Sequence, residues 1–191
     1  MLCLKQFRNI HLFPVFLVLI IPLFCHSKSQ HGETSTLQKR SQYKEALRHL
    51  SQGQIKKFSK LQGELDSYLL KDYLSYHKFN RLLHKRSQVE MDEFKTKFAH
   101  LPVTAILEKR WLKLIGKQRR WKTFQDNYVT TLDPELRCLY ARSLYGTNQR
   151  DEALARTEDL WVKPESQPKV CDPLFEVWKE TKYFNEEVVW S

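Results

Sequence analysis

From about Gln38 onward the apolar residues recur at spacings of three and four, the period of a helix that buries one face. Tyr43, Ala46, Leu47 and Leu50 share the first such face, and Gly53 ends that helix. Ile55, Phe58, Leu61 and Leu65 make the second stripe, and Leu69, Tyr73, Tyr76, Phe79 and Leu83 the third. Ser87 followed by Glu90 is a capping-box pattern opening a helix with Phe94, Phe98 and Leu101, which Pro102 closes. Thr104 is expected to cap the next helix, which carries Leu107, Trp111, Leu114 and Ile115 and ends near Gly116. Trp121, Phe124 and Tyr128 mark a short one.

Asp133-Pro134 and Asp172-Pro173 are both helix-start signals. The carboxylate caps free N–H groups, and proline at the first helical position loses no hydrogen bond. After Asp133 the buried face is Leu136, Leu139, Tyr140, Ser143 and Leu144, and Gly146 stops the helix. Asn148 is expected to cap a helix with Ala153, Leu154, Thr157, Leu160 and Trp161, which Pro164 ends. After Asp172 the shared face is Leu174, Val177 and Trp178. Asn185 reads as a further cap, with a helix starting over Glu186 to Trp190.

The count is roughly nine helices, joined by loops short enough to make neighbours antiparallel. Sustained Val/Ile/Thr alternation is missing, and five glycines leave little room for a turn-rich β fold. The fold class is therefore all-α: successive hairpins of alternating long and short helices in an α-solenoid, with a compact bundle as the alternative. Trp111, Trp121, Trp161 and Trp178 fall at core positions of this pattern.

The first residues follow a different pattern. Lys5 and Arg8 precede an apolar run from Leu12 to Phe24, interrupted by Pro14 and Pro22. The run is short of the about 20 residues that span a bilayer comfortably. Cys25 and Ser27 stand where cleavage after Ser27 requires small residues. Residues 1–27 thus read as a secretory signal peptide, 28–37 as a polar, flexible lead-in, and 38–191 as the helical domain. An uncleaved anchor is the rival and would be the chain's one link to a membrane. A lipoprotein reading on Cys25 conflicts with bulky Phe24. Export places the mature chain in an oxidising compartment, where Cys138 and Cys171, the pair left after cleavage, favour a disulfide over two buried thiols.

Charge changes the picture further. Lys plus Arg is 32 against 22 acidic residues, a net charge of +10, and the excess is clustered. One cluster is Lys39, Arg40, Lys44, Arg48, Lys56, Lys57 and Lys60; the other is Lys109, Arg110, Lys113, Lys117, Arg119, Arg120 and Lys122. A basic helical surface suits an anionic polymer or a nucleic acid, and export argues against the nucleic acid. A solvated face that only confers solubility is the competing reading. His77 and His84, spaced two turns apart on what reads as one helix, lack a third ligand, so no metal site is assigned. No glycine-rich phosphate loop or cofactor motif occurs.

The stretch Ser166-Gln167-Pro168, Cys171-Asp172, Leu174-Phe175 and Val177-Trp178, with Cys138 on a preceding helix, resembles the N-terminal superhelical domain of the soluble lytic murein transglycosylases. The resemblance extends from about Gln38 to the end and is strongest from Glu135 to Trp178. It implies a right-handed superhelix and a Cys138–Cys171 disulfide, a periplasmic location and peptidoglycan as partner. The family's catalytic domain, with a Glu-Ser pair and a later Gly-Leu-Met-Gln segment, is expected to follow this region and is missing before Ser191. Glu165-Ser166 matches that pair superficially, but Gln167-Pro168 follows it, so no catalytic residue is assigned. The implied protein is a truncated, inactive member of the family whose basic cluster at Lys109–Lys122 contacts murein. The alternatives are an independent periplasmic scaffold, or half of a split enzyme whose catalytic domain is encoded separately.

Overall fold

The computed structural model describes residues 30–163 and 165–185, with side chains from residue 35 onward. The expected signal peptide, Pro164 and the helix over 186–190 lie outside the described residues. The described residues fall in two units that divide between residues 38 and 39. Among the described residues every regular element is helical: α1 (Gln30–Ser51), α2 (Ile55–Glu64), α3 (Lys71–Arg81), α4 (Gln88–Lys97), α5 (Val103–Lys117), α6 (Trp121–Asn127), α7 (Pro134–Gly146), α8 (Arg150–Trp161) and α9 (Asp172–Lys179). Short 3-10 turns, Leu83–Lys85 and Lys169–Cys171, precede α4 and α9. None of the described helices is long and apolar enough to cross a membrane. The all-α class read from the sequence is what the structure has.

The core forms in chain order, as serial packing of hairpins requires. Ala46, Leu50, Phe58, Leu65 and Leu74 from α1 to α3 make one cluster. Met91, Phe94, Leu107, Trp111, Ile115, Phe124, Leu136 and Leu139 carry the next from α4 to α7. Cys138, Ala141, Leu160, Cys171, Leu174 and Phe175 join α7, α8 and α9 in a third. Trp178 and Leu154 close the series, with Trp161, Tyr183 and Phe184 against them.

Two expected start signals form as read. Ser87 Oγ accepts from Glu90 N, and Glu90 Oε2 accepts from Ser87 N at 2.8 Å, completing the capping box. Asp133 Oδ1 accepts from Leu136 N at 3.1 Å, with Pro134 in the first turn of α7. Three others differ, and the helix expected after Asn185 lies outside the described residues. Thr104 lies inside α5, its Oγ1 donating to Phe98 O at 2.7 Å, and the helix opens after Pro102 without a side-chain cap. Asn148 takes a left-handed backbone (φ 65°), which a short amide tolerates, and leaves the cap position to Gln149. Asp172 is already helical (φ −49°, ψ −47°), because the 3-10 turn at Lys169–Cys171 runs directly into α9 and leaves no extended cap residue.

Other boundaries moved for similar reasons. Helix α1 begins at Gln30, inside the stretch expected to be a flexible lead-in; only Gly32 there disfavours helix strongly. Helix α5 runs through Gly116 to Lys117, and Arg119 takes the left-handed position (φ 58°) that glycine usually fills. Arg119 N donates to Gly116 O and Arg120 N to Ile115 O, both at 3.0 Å, a Schellman closure. A side chain at that φ costs roughly 1–2 kcal/mol. Leu69 is 90% exposed rather than part of a buried stripe, since it lies in the turn before α3. The buried face of α9 is Leu174, Phe175 and Trp178, with Val177 only half-buried. Trp111 and Trp178 are core, whereas Trp121 and Trp161 are half-buried.

Gly146 is needed for a close approach. A β-carbon there would meet Trp121 Cδ1 at 2.9 Å, and the indole nitrogen closer still. Alanine at a helix end gains at most about 1 kcal/mol of propensity, while overpacking costs roughly 1–3 kcal/mol. Gly146→Ala is therefore expected to destabilise by about 1–2 kcal/mol in urea titrations; a stabilised variant would show that the indole moves freely.

Candidate functional site

Helix α7 carries one half of the disulfide and meets the lysine face of α5. It packs against α5, α6, α8, α9 and the 3-10 turn before α9. Leu136, Cys138, Leu139, Ala141, Ser143 and Leu144 are all buried, so apolar contact surrounds most of the helix. Cys138 and Cys171 are both fully buried and form a disulfide, with a Cα separation of 5.1 Å. Arg142 on the next turn of α7 donates to Val170 O at 3.1 Å, a second tie to the same turn. Beside the bridge, Trp161 meets Phe175 edge-on, with ring centroids 5.2 Å apart.

The second basic cluster divides on folding. Lys109, Lys113 and Lys117 repeat every fourth residue and share one face of α5. That face meets the start of α7. Asp133 Oδ2 accepts from Lys109 Nζ at 2.7 Å and from Lys113 Nζ at 2.9 Å. Glu135 accepts from Lys113 at 2.8 Å and from Lys117 at 2.5 Å. Burial acts to raise the Asp133 carboxyl. Hydrogen bonds from Lys109, Lys113 and Leu136 N–H outweigh it and hold the carboxyl well below the usual range. Glu135 is lowered in the same way, with burial opposed by bonds from Lys113 and Lys117. Burial acts to lower Lys113, but its bonds to Glu135 and Asp133 leave it raised.

The remaining cations have other fates. Arg120 Nη1 donates to Arg86 O at 3.1 Å, the carbonyl that also accepts from Trp111 Nε1. Lys122 pairs with Asp126 at 3.2 Å and is otherwise exposed. Arg110 projects to solvent, and Arg119 is exposed at the α5–α6 turn. The structure thus gathers three lysines on one acidic pair and leaves Arg110, Arg119 and Lys122 outward. What sequence reading missed was the counter-charge, Asp133 and Glu135. Its signal was present as the fourfold lysine spacing, but its partner lay on another helix.

Glu165 is exposed, and Gln167 Nε2 donates to its backbone carbonyl. A glycosidic acid works in an enclosed site beside the scissile bond, whereas Glu165 stands on an exposed loop. His77 lies on α3 and His84 in the following 3-10 turn, so they do not share a helix as their spacing implied. Among the described residues no three His, Cys, Asp or Glu side chains gather as metal ligands.

These features define a helical-hairpin domain whose last hairpin is closed by a buried disulfide. The soluble lytic murein transglycosylase of Salmonella typhimurium is 26% identical over 159 residues, 82% of this chain and 24% of that protein. The protein of the same name from Escherichia coli is 26% identical over 145 residues, 74% of this chain and 22% of its own. Among solved structures, the lytic transglycosylase Slt of Pseudomonas aeruginosa, as an inactive mutant, matches 78% of this chain with 35% identity and a TM-score of 0.65, over 24% of its own length. The 70 kDa soluble lytic transglycosylase of Escherichia coli matches 79% with a TM-score of 0.64 and 24% identity, over 25% of its length, which shows the shared fold. No family model matches the chain. The chain spans about a quarter of the length of these relatives. It is a partial homologue of the soluble lytic transglycosylases and corresponds to their non-catalytic helical part.

The sign of the pH response follows from the lysine–carboxylate ladder. Asp133 and Glu135 are lowered from ordinary values of 3.8 and 4.5, so their contribution is complete above those values and is lost as pH falls below them. Lys113 is raised from 10.5, so its contribution is complete below that value and is lost only as pH rises through the higher folded value. Asp133→Asn combined with Glu135→Gln is expected to cost about 1–3 kcal/mol at neutral pH and to flatten the acid limb of the stability curve. Urea midpoints across the acid range check this, and parallel limbs for wild type and variant would rule the ladder out as the cause.

Proposed function

We propose that this protein is an exported, non-catalytic superhelical domain that acts at the cell wall by binding peptidoglycan glycan strands. The observation that carries the reading is the match to Pseudomonas aeruginosa Slt, with 35% identity across 78% of this chain. The relatives are named for murein, a polymer whose peptide carboxylates suit a basic partner. The disulfide supports the compartment, because such a bond persists in the periplasm and is rare in a reducing cytosol. The leader-like first residues agree with that route. A catalytic domain working with this one is the second reading, since the match covers only a quarter of each relative. Either way, glycan cleavage is not assigned to Glu165.

The ion-pair ladder is the reason to look for the binding surface elsewhere. Lys109, Lys113 and Lys117 spend their charge on Asp133 and Glu135, so murein contact falls to the outward Arg110 and to the exposed lysines Lys56, Lys57 and Lys60 on α2. Co-sedimentation with purified sacculi tests this. The bound fraction should fall between about 0.1 M and about 1 M salt, as the screening length shrinks from about 10 to about 3 Å. Arg110→Glu together with Lys57→Glu should lower it at low salt, and no 1,6-anhydro muropeptides should be released. Binding indifferent to salt and to both reversals, or clear release of product, would contradict the reading.

A further inference from the structure

A cleft of about 230 Å³ opens where the α5–α6 turn, α7 and the start of α9 meet. Trp121, Tyr145, Gly146, Pro173 and Leu174 supply apolar walls, and the charged groups on it are Arg119 and Arg142. Among the described residues no carboxylate lines the cleft and neither arginine forms an ion pair. Arg142 is half-buried and spends one N–H on Val170 O, which leaves the rest of its planar donor set uncommitted. Arg119 has no side-chain partner among the described residues, yet it holds a left-handed backbone position that glycine would occupy without strain. Two guanidiniums are thus brought to one apolar cleft without a counter-charge among the described residues, and one sits on a backbone unfavourable to any side chain. Burial, and then repulsion from Arg119, lower the Arg142 guanidinium.

We propose that this cleft binds the terminal carboxylate of a short apolar peptide. Arg119 and Arg142 hold the carboxylate, while Trp121, Tyr145, Pro173 and Leu174 cover the last side chain. A planar carboxylate matches the guanidinium fork in two parallel bonds, and small apolar walls disfavour a multiply charged phosphate. The proposal does not depend on the peptidoglycan reading, because nothing in the cleft specifies where the peptide comes from.

Nitrogen-detected NMR on the intact protein tests it, following the Trp121 indole and the Arg119 and Arg142 side chains. Three probes are needed: N-acetyl-Ala-Ala, its C-terminal amide, and inorganic phosphate. The free acid should shift all three signals, and both the amide and phosphate should bind about tenfold more weakly or worse, since charge-assisted bonds are lost or the apolar walls are unused. Arg119→Gly should weaken the acid about tenfold while raising Tm by a few degrees, because glycine relieves the φ of 58°. Weakened binding in a more stable variant cannot come from unfolding. Equal binding of acid and amide would show an apolar cleft alone, and phosphate binding as tightly would show a general anion patch. Either result, no shift with any probe, or unchanged binding in Arg119→Gly would overturn the proposal.

Discussion

The Cys138–Cys171 bridge is the constraint on which the end of this domain depends. Helix α7 is buried nearly all round, and α9 has only eight residues with which to hold its place. So short a helix has little stability of its own, since most helical stability comes from packing an amphipathic face. The bridge fixes the start of α9 against the middle of α7, and α8 is held between its two ends. Closing a loop of this length is worth roughly 3–4 kcal/mol on a chain-entropy argument, a large share of a marginal folding free energy. Arg142 on Val170 O reinforces the same junction, and Trp161 packs across Phe175 and Trp178 beyond it.

Other ties act at the two ends of α7. Asp133 caps the first turn and binds two lysines of α5, so one carboxylate both starts the helix and docks it. At the far end Gly146 admits the Trp121 indole, which sets α6 against α7. Serial packing explains why such local devices matter. The buried residues fall into separate clusters along the chain, so no single central core compensates for a weak junction. The homology to one helical part of larger enzymes fits a domain that is stabilised junction by junction.

Local signals were legible in the sequence where the deciding atoms are close along the chain. Ser87 with Glu90, and Asp133 with Pro134, act within one turn and formed as read. Asp172-Pro173 carries the same letters, but the preceding Lys169–Cys171 turn had already brought Asp172 to helical backbone. Gly116 read as a helix stop because the left-handed position favours glycine, yet that position is taken by Arg119 three residues later. The lysine cluster was visible as composition and period. Its neutralisation was not, because Asp133 and Glu135 lie on a helix whose docking is a tertiary fact. Cys138 and Cys171 were legible as a pair by count and by resemblance, and the structure unites them.

Native-state hydrogen exchange on the oxidised and the reduced protein is the most direct measurement of this account. Reduction should drop protection in α8 and α9 by several kcal/mol of opening free energy, roughly the 3–4 kcal/mol of the closed loop, while α2 to α6 keep theirs. Protection that falls equally throughout the domain, or that does not change in α8 and α9, would contradict it.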